Sequence, residues 1–143
     1  MTGPTLEKVA RVTLLACAAT LAAYGAVFLV RPAVLGGLVG LELTSPDAPV
    51  EIRAFYGGLE LGLAAFLLAC ARNRSLVSAG LLFCALAFSF AGIARLLGVL
   101  QYGAAGPAHV IVAAVELSGA ALSAWLRIRL AGAPAGARIE TLA

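Results

Sequence analysis

Four apolar runs, three of them interrupted by charge, constrain this chain more than any other feature. Each run is near the roughly 20 residues that a helix needs to cross the hydrocarbon of a bilayer. The first covers about Val12 to Val30 and stops at Arg31-Pro32. The second covers about Val50 to Ala71 and ends at Arg72-Asn73-Arg74. The third runs from about Leu76 to Leu100 with Arg95 near its far end, and the fourth from about Ala108 to Leu126 with Glu116 inside it. Arg53 and Glu60 fall within the second. The runs predict an all-α fold: a four-transmembrane-helix antiparallel bundle, one membrane domain over residues 1–130, and a flexible cytoplasmic tail over 131–143.

Composition agrees with a bilayer as the solvent. Hydrophobic residues make up 62% of the chain and charged residues 12%, about half the ~25% charged content of soluble domains, and the mean hydropathy is +1.03. The net charge of +3 does not point to nucleic acid, because the basic residues sit at the ends of apolar runs and form no soluble basic module. Cys17, Cys70 and Cys84 lie inside apolar runs without CxxC spacing, which reads as small buried hydrophobes rather than a disulfide framework or metal ligands. Leu14-Leu15-Ala16-Cys17 loosely matches a lipoprotein processing site. However, too few residues separate Arg11 from Cys17 for the usual apolar region of about 7–15 residues, so a retained helix is expected.

The connections give topology. Arg72–Ser75 is short and basic, which predicts a tight hairpin between the second and third spans. Gln101–Pro107 is turn-rich. Arg31–Pro49 starts apolar, and Val34, Leu35, Leu38, Val39 and Leu41 can line one side of a short interfacial segment opened by Pro32. With the N-terminus inside, seven Lys and Arg fall on that side and three on the other. This predicts cytoplasmic termini in a bacterial inner membrane, with Trp125 and Arg127 anchoring the inner end of the fourth span.

In that topology Glu60 lies roughly 15 Å below the outer end of its span, Glu116 roughly 12 Å and Arg95 roughly 7 Å. An ionised group at a helix centre costs about 2.5–3.5 kcal/mol on insertion scales, so such groups are expected to face the interior in pairs. Arg95 is placed to reach both carboxylates. Arg53, Tyr56, Gly57 and Glu60 follow an i, i+3, i+4, i+7 pattern on one helical face, and Tyr24 falls in the same half of the bundle. Arg53, Tyr56, Glu60, Arg95, Glu116 and Tyr24 are therefore the candidate cluster. It is either a pocket for a membrane lipid, a quinone or another small hydrophobic ligand, or an ion-pair lock that sets helix register. Gly57 is expected at a helix contact, and Gly58 with Gly62 forms a GxxxG for helix packing or a homodimer seam. His109 is the single histidine and is not expected to ligate a metal. No nucleotide-binding, zinc-protease or serine-histidine motif appears, which argues against an autonomous enzyme and calls for no cofactor.

The segments EIRAFYGGLELG at Glu51–Gly62, AGIARLLGVLQYG at Ala91–Gly103, and Glu116 of VELSGA resemble an uncharacterised bacterial family of four-helix membrane proteins known only as a domain of unknown function. The family pattern, Arg-Ala-x-Tyr-Gly-Gly, a later Arg-Leu and an acidic residue in the last helix, falls here on Arg53, Ala54, Tyr56, Gly57, Gly58, Arg95, Leu96 and Glu116. The resemblance spans about Val12 to Arg129. More distantly the chain is similar to DoxX-like four-helix proteins, some of which accompany quinone-linked oxidoreductases. The resemblance implies the fold and the polar cluster, and no mechanism. Two alternatives to a ligand-binding protein stand: an accessory subunit of a membrane complex, and a small proton-coupled transporter. The last would have to oligomerise, since four spans without inverted repeats or broken helices make no transport path.

Overall fold

The apolar runs become helices that outlast them. In the computed structural model, which describes residues 3–40, 42–103 and 106–132, the first span is the helix Gly3–Val30. The second is Ala48–Arg72, the third Arg74–Tyr102 and the fourth Pro107–Ala131, each long and apolar enough to cross a membrane. Each extends past the apolar run into charged flanks, since a helix ends where its backbone is capped and not where its hydropathy falls. The chain is thus a multi-pass membrane protein built as a four-helix bundle, and no strand occurs among the described residues. Most of the predicted tail, residues 133–143, lies outside them, as does Leu41 of the interfacial segment.

Local chemistry fixes the connections. The interfacial segment is a helix over Ala33–Val39, closed by Gly40 in a left-handed conformation at φ 71°, where a side chain would be strained. The second span begins at Ala48 with Pro49 in its first turn, a position where the missing N–H costs nothing. At the hairpin, Asn73 turns extended and its Oδ1 accepts from the Ser75 backbone N–H at 3.1 Å and hydroxyl at 2.8 Å. A 3₁₀ turn over Arg74–Leu76 then feeds the long helix Val77–Tyr102. Arg129 lies 5.7 Å over the Trp125 ring, so Arg129, and not the expected Arg127, accompanies the aromatic anchor.

The bundle is two antiparallel pairs. The first span packs chiefly on the second, and the third chiefly on the fourth. A buried cluster drawn from all four spans joins the pairs: Leu6, Ala10, Leu14 and Ala18; Leu67, Cys70 and Ala71; Val77, Leu81 and Cys84; and Leu126. Every one of these lies toward the end of the bundle that holds the N-terminus and the Asn73 turn, hereafter the terminal end. The opposite end, with the connections after Val30 and Tyr102, is the loop end. Close approach at the joint depends on Gly80, where an added Cβ would come within 2.8 Å of Cys70 Cβ and 3.1 Å of Leu14 Cδ1. Cys70 and Cys84 are fully buried there, as small hydrophobes.

Within each pair, glycines let the helices approach closely near the loop end. Gly57 packs on Leu29, whose Cα a Cβ would reach at 3.0 Å. Gly25 meets the Gly57 carbonyl at the same distance, and Gly92 meets Leu117 on the fourth span. Gly58 and Gly62 do not take part. A Cβ on Gly62 would meet nothing within 4 Å, and one on Gly58 only the Arg53 carbonyl of its own helix. The GxxxG therefore faces outward, and of the three glycines expected to pack, only Gly57 does so within the chain.

Two arginines tie the first pair reciprocally. Arg11, near the start of the first span, donates from Nε to the Ala71 carbonyl at 2.8 Å and from Nη2 to the Arg72 carbonyl at 2.9 Å. Arg53, near the start of the second, donates from Nε to the Leu29 carbonyl at 3.2 Å. The last carbonyls of a helix lack intrahelical donors and carry its negative dipole end, so each arginine caps the helix opposite its own. Arg74 adds an ion pair to Glu7 at 2.9 Å.

Candidate functional site

The centre of the candidate site is the pair Arg95–Glu116, which joins the third and fourth spans. Arg95 donates from Nε to Glu116 Oε2 at 3.0 Å and from Nη2 to Oε1 at 2.8 Å. This is the parallel two-bond geometry in which guanidinium and carboxylate match best. The side chains are 33% and 17% exposed, so the carboxylate is the more enclosed member. Nearer the terminal end, Gly119 lies beside the Phe88 ring, and Gly92 packs against Leu117 about one turn below the pair. The charge pair thus stands on an apolar floor.

A groove of about 530 Å³ opens beside it, lined by Ala91, Ala94, Arg95, Gly98, Val99, Tyr102 and His109. All but His109 belong to the third span. Ala91, Ala94, Arg95, Gly98 and Tyr102 recur at i, i+3, i+4, i+7 and i+11, one face of a helix. The small side chains leave space, Arg95 supplies charge, and Tyr102 with His109 stands at the loop end. The groove is open along the third span rather than enclosed.

The expected single cluster of two arginines, two glutamates and two tyrosines divides along the boundary between the helix pairs. Arg95 takes Glu116 with both of its paired nitrogens; no bond from it to Glu60 is seen. Arg53 is exposed and caps the first span, so it is not a partner for either carboxylate. Tyr24 and Tyr56 are 52% and 47% exposed. They flank Phe28 in an aromatic stack, Tyr24 at 5.9 Å in a stacked arrangement and Tyr56 at 6.3 Å edge-on. Neither hydroxyl is seen to bond to the charged residues. Glu60 is half-buried, and its Oε2 has no hydrogen-bond partner among the described residues. The physical reason for the division is the joint described above: the pairs meet through apolar side chains at the terminal end, and the polar residues lie toward the loop end.

The winding of the second span also differs from expectation. Ile52–Leu59, IRAFYGGL, is a π-helix set between the α-helical turn Ala48–Glu51 and the α-helix Glu60–Arg72. A π turn closes i→i+5 and so holds more residues than the 3.6 of an α turn. The α-helical spacing that put Arg53, Tyr56, Gly57 and Glu60 on one face therefore no longer applies. Arg53, Tyr56 and Gly57 meet the first span around Phe28 and Leu29, and Glu60 is the first residue of the resumed α-helix. π segments are rare and recur at functional sites.

Sequence reasoning missed His109, Tyr102 and the small-residue lane of the third span. A lone histidine was set aside because it cannot build a metal site, but a groove needs only a polar mouth. The spacing of Ala91, Ala94 and Gly98 around Arg95 was available as a signal.

Comparison with known proteins is narrow in what it adds. No curated protein and no solved structure matches the chain, and no similarity to DoxX-like proteins is shown. One family model matches, and it covers residues 9–127, which takes in all four spans and both members of the Arg95–Glu116 pair. By that match the chain belongs to the DUF4345 family, a domain of unknown function.

Proposed function

We propose that this protein is a non-enzymatic membrane protein of the bacterial inner membrane, termini in the cytoplasm, that binds a small amphipathic ligand. The site is the Arg95–Glu116 pair and the groove beside it, in the half of the bundle nearer the outer leaflet. The observation that carries this reading is the adjacency of the two: Arg95, held to Glu116 by two bonds, lines an open groove of about 530 Å³ whose wall is otherwise Ala91, Ala94, Gly98 and Val99, with Tyr102 and His109 at its loop end. Charged residues inside spans mark functional sites by default, and a lock alone does not require a groove. Tyr24, Tyr56, Arg53 and Glu60 line the other helix pair in the same half and would border a ligand entering between the pairs.

The test is native mass spectrometry of the protein extracted gently from its own membrane. A stoichiometric adduct that is lost in Arg95→Gln with helicity retained supports the binding reading. A bare chain, or one that appears only with another polypeptide, sinks it in favour of the second reading, an accessory subunit. One observation favours that second reading. Gly58 and Gly62 present an outward face with open space above the backbone, the kind of surface on which another membrane helix packs closely.

A further inference from the structure

Resting on the binding reading, we infer that the groove selects an electrically neutral amphiphile bearing a hydrogen-bond-accepting oxygen, such as a ketone or ester carbonyl, over an anionic amphiphile of the same length. The argument is one of charge. Glu116 takes Nε and Nη2 of Arg95, so the guanidinium's positive charge is already matched and the pair as a unit is neutral. Nη1 is not used by that pair, and Arg95 is the charged residue of the groove wall. A carbonyl oxygen can accept from it without adding charge. A sulfonate, carboxylate or phosphate would add an uncompensated negative charge in a region where hydrocarbon surrounds the bundle, and such a charge is expensive.

Depth makes the same choice. Seven residues separate Arg95 from Tyr102, roughly 10 Å of helix. A free arginine would extend along its span to meet a head group at the interface. This one is held in place by two bonds to the fourth span. The polar atom of the ligand therefore has to come down to Arg95, which favours a compact uncharged head. Its apolar body then lies on Ala91, Ala94 and Gly98, where no bulky side chain competes for the space.

The experiment uses the full chain in phosphatidylcholine nanodiscs and two photoreactive probes of equal chain length, each with a diazirine in its tail. One is an alkyl methyl ketone and the other an alkyl sulfonate, which stays ionised. Adducts are mapped by mass spectrometry over residues 91–109. The expected result is labelling by the ketone at least roughly tenfold above the sulfonate, given the cost of an unmatched charge. Gly98→Leu should abolish it. That substitution puts a bulky side chain on the groove wall at a position where a Cβ meets nothing within 4 Å, and retained helicity by circular dichroism checks that the fold is kept. Arg95→Gln should reduce the ketone signal as well. Equal labelling by both probes, or a preference for the sulfonate, overturns the neutral-ligand inference and leaves the binding reading standing. If neither probe labels the segment above the Gly98→Leu background, both fall.

Discussion

The two ends of this bundle solve the same problem by different means. At the terminal end, four helices meet through Leu14, Leu67, Leu81, Cys84 and Leu126, all fully buried, and the pairs are held by shape. At the loop end, Leu97, Leu100 and Tyr102 are exposed, and helices are held two by two through a glycine contact, an aromatic stack and one ion pair. Lipid tails are as apolar as leucine, so burying apolar surface gives no drive of the kind it gives in water; close packing and polar contacts do the joining. The terminal end uses the first and the loop end adds the second. Even the packed end carries polar atoms, since Ser123 Oγ and Arg127 Nε are buried there without a partner. What separates the ends is therefore joint against opening, and the groove beside Arg95 belongs to the opening.

The sharpest way to break this comparison is a matched pair of truncations. Leu67→Ala should destabilise the bundle by about 2–5 kcal/mol, as a cavity in a packed core does. Leu97→Ala, 59% exposed, should cost well under about 1 kcal/mol, because its side chain exchanges one apolar neighbour for another. Reversible unfolding in mixed micelles measures both, and equal losses would mean that the ends are not distinct. Next in size is Glu116→Ala, expected to cost about 3 kcal/mol by stranding the Arg95 charge. The double variant Arg95→Met with Glu116→Leu should recover most of that loss. A double variant as unstable as the single one would show that the pair contributes by attraction rather than by mutual satisfaction.

Smaller effects separate the two capping arginines. Arg11→Met removes two bonds to carbonyls and should cost about 1–2 kcal/mol, whereas Arg53→Met removes one longer, exposed bond and should cost about 0.5 kcal/mol. Hydrogen exchange at the ends of the two spans reads this directly: faster exchange around Ala69–Arg72 is expected in the first variant and around Val27–Val30 in the second. Similar in size but opposite in sign is Gly62→Ala, which should stabilise the single chain by about 0.5–1 kcal/mol through helix propensity. If a second helix packs on that face, the same change should instead weaken association in a cross-linking assay.

The sequence carried the spans because hydropathy and span length are properties of one helix at a time. It carried the Glu116 half of Arg95's expected pairing for the same reason: depth along each helix is computable, and a long arginine stem spans the few ångströms between them. Roles that depend on a neighbour's backbone were out of reach. Arg11 was counted only as a flanking positive charge, and Arg53 as a member of the cluster, since no residue pattern announces a carbonyl on another helix. The glycines show the same limit. The two-glycine motif drew notice and faces outward, whereas Gly25, Gly80 and Gly92 stand alone in sequence and make the contacts. The π winding of Ile52–Leu59 left no mark on an apolar pattern too continuous to show its period.

The reciprocal arginine caps bear on how the first two spans come together. Each helix of the first pair supplies a donor to the last carbonyls of the other. Those ends are therefore satisfied together, when the two spans lie side by side, and the hairpin Gly3–Arg72 closes as a clasp on itself.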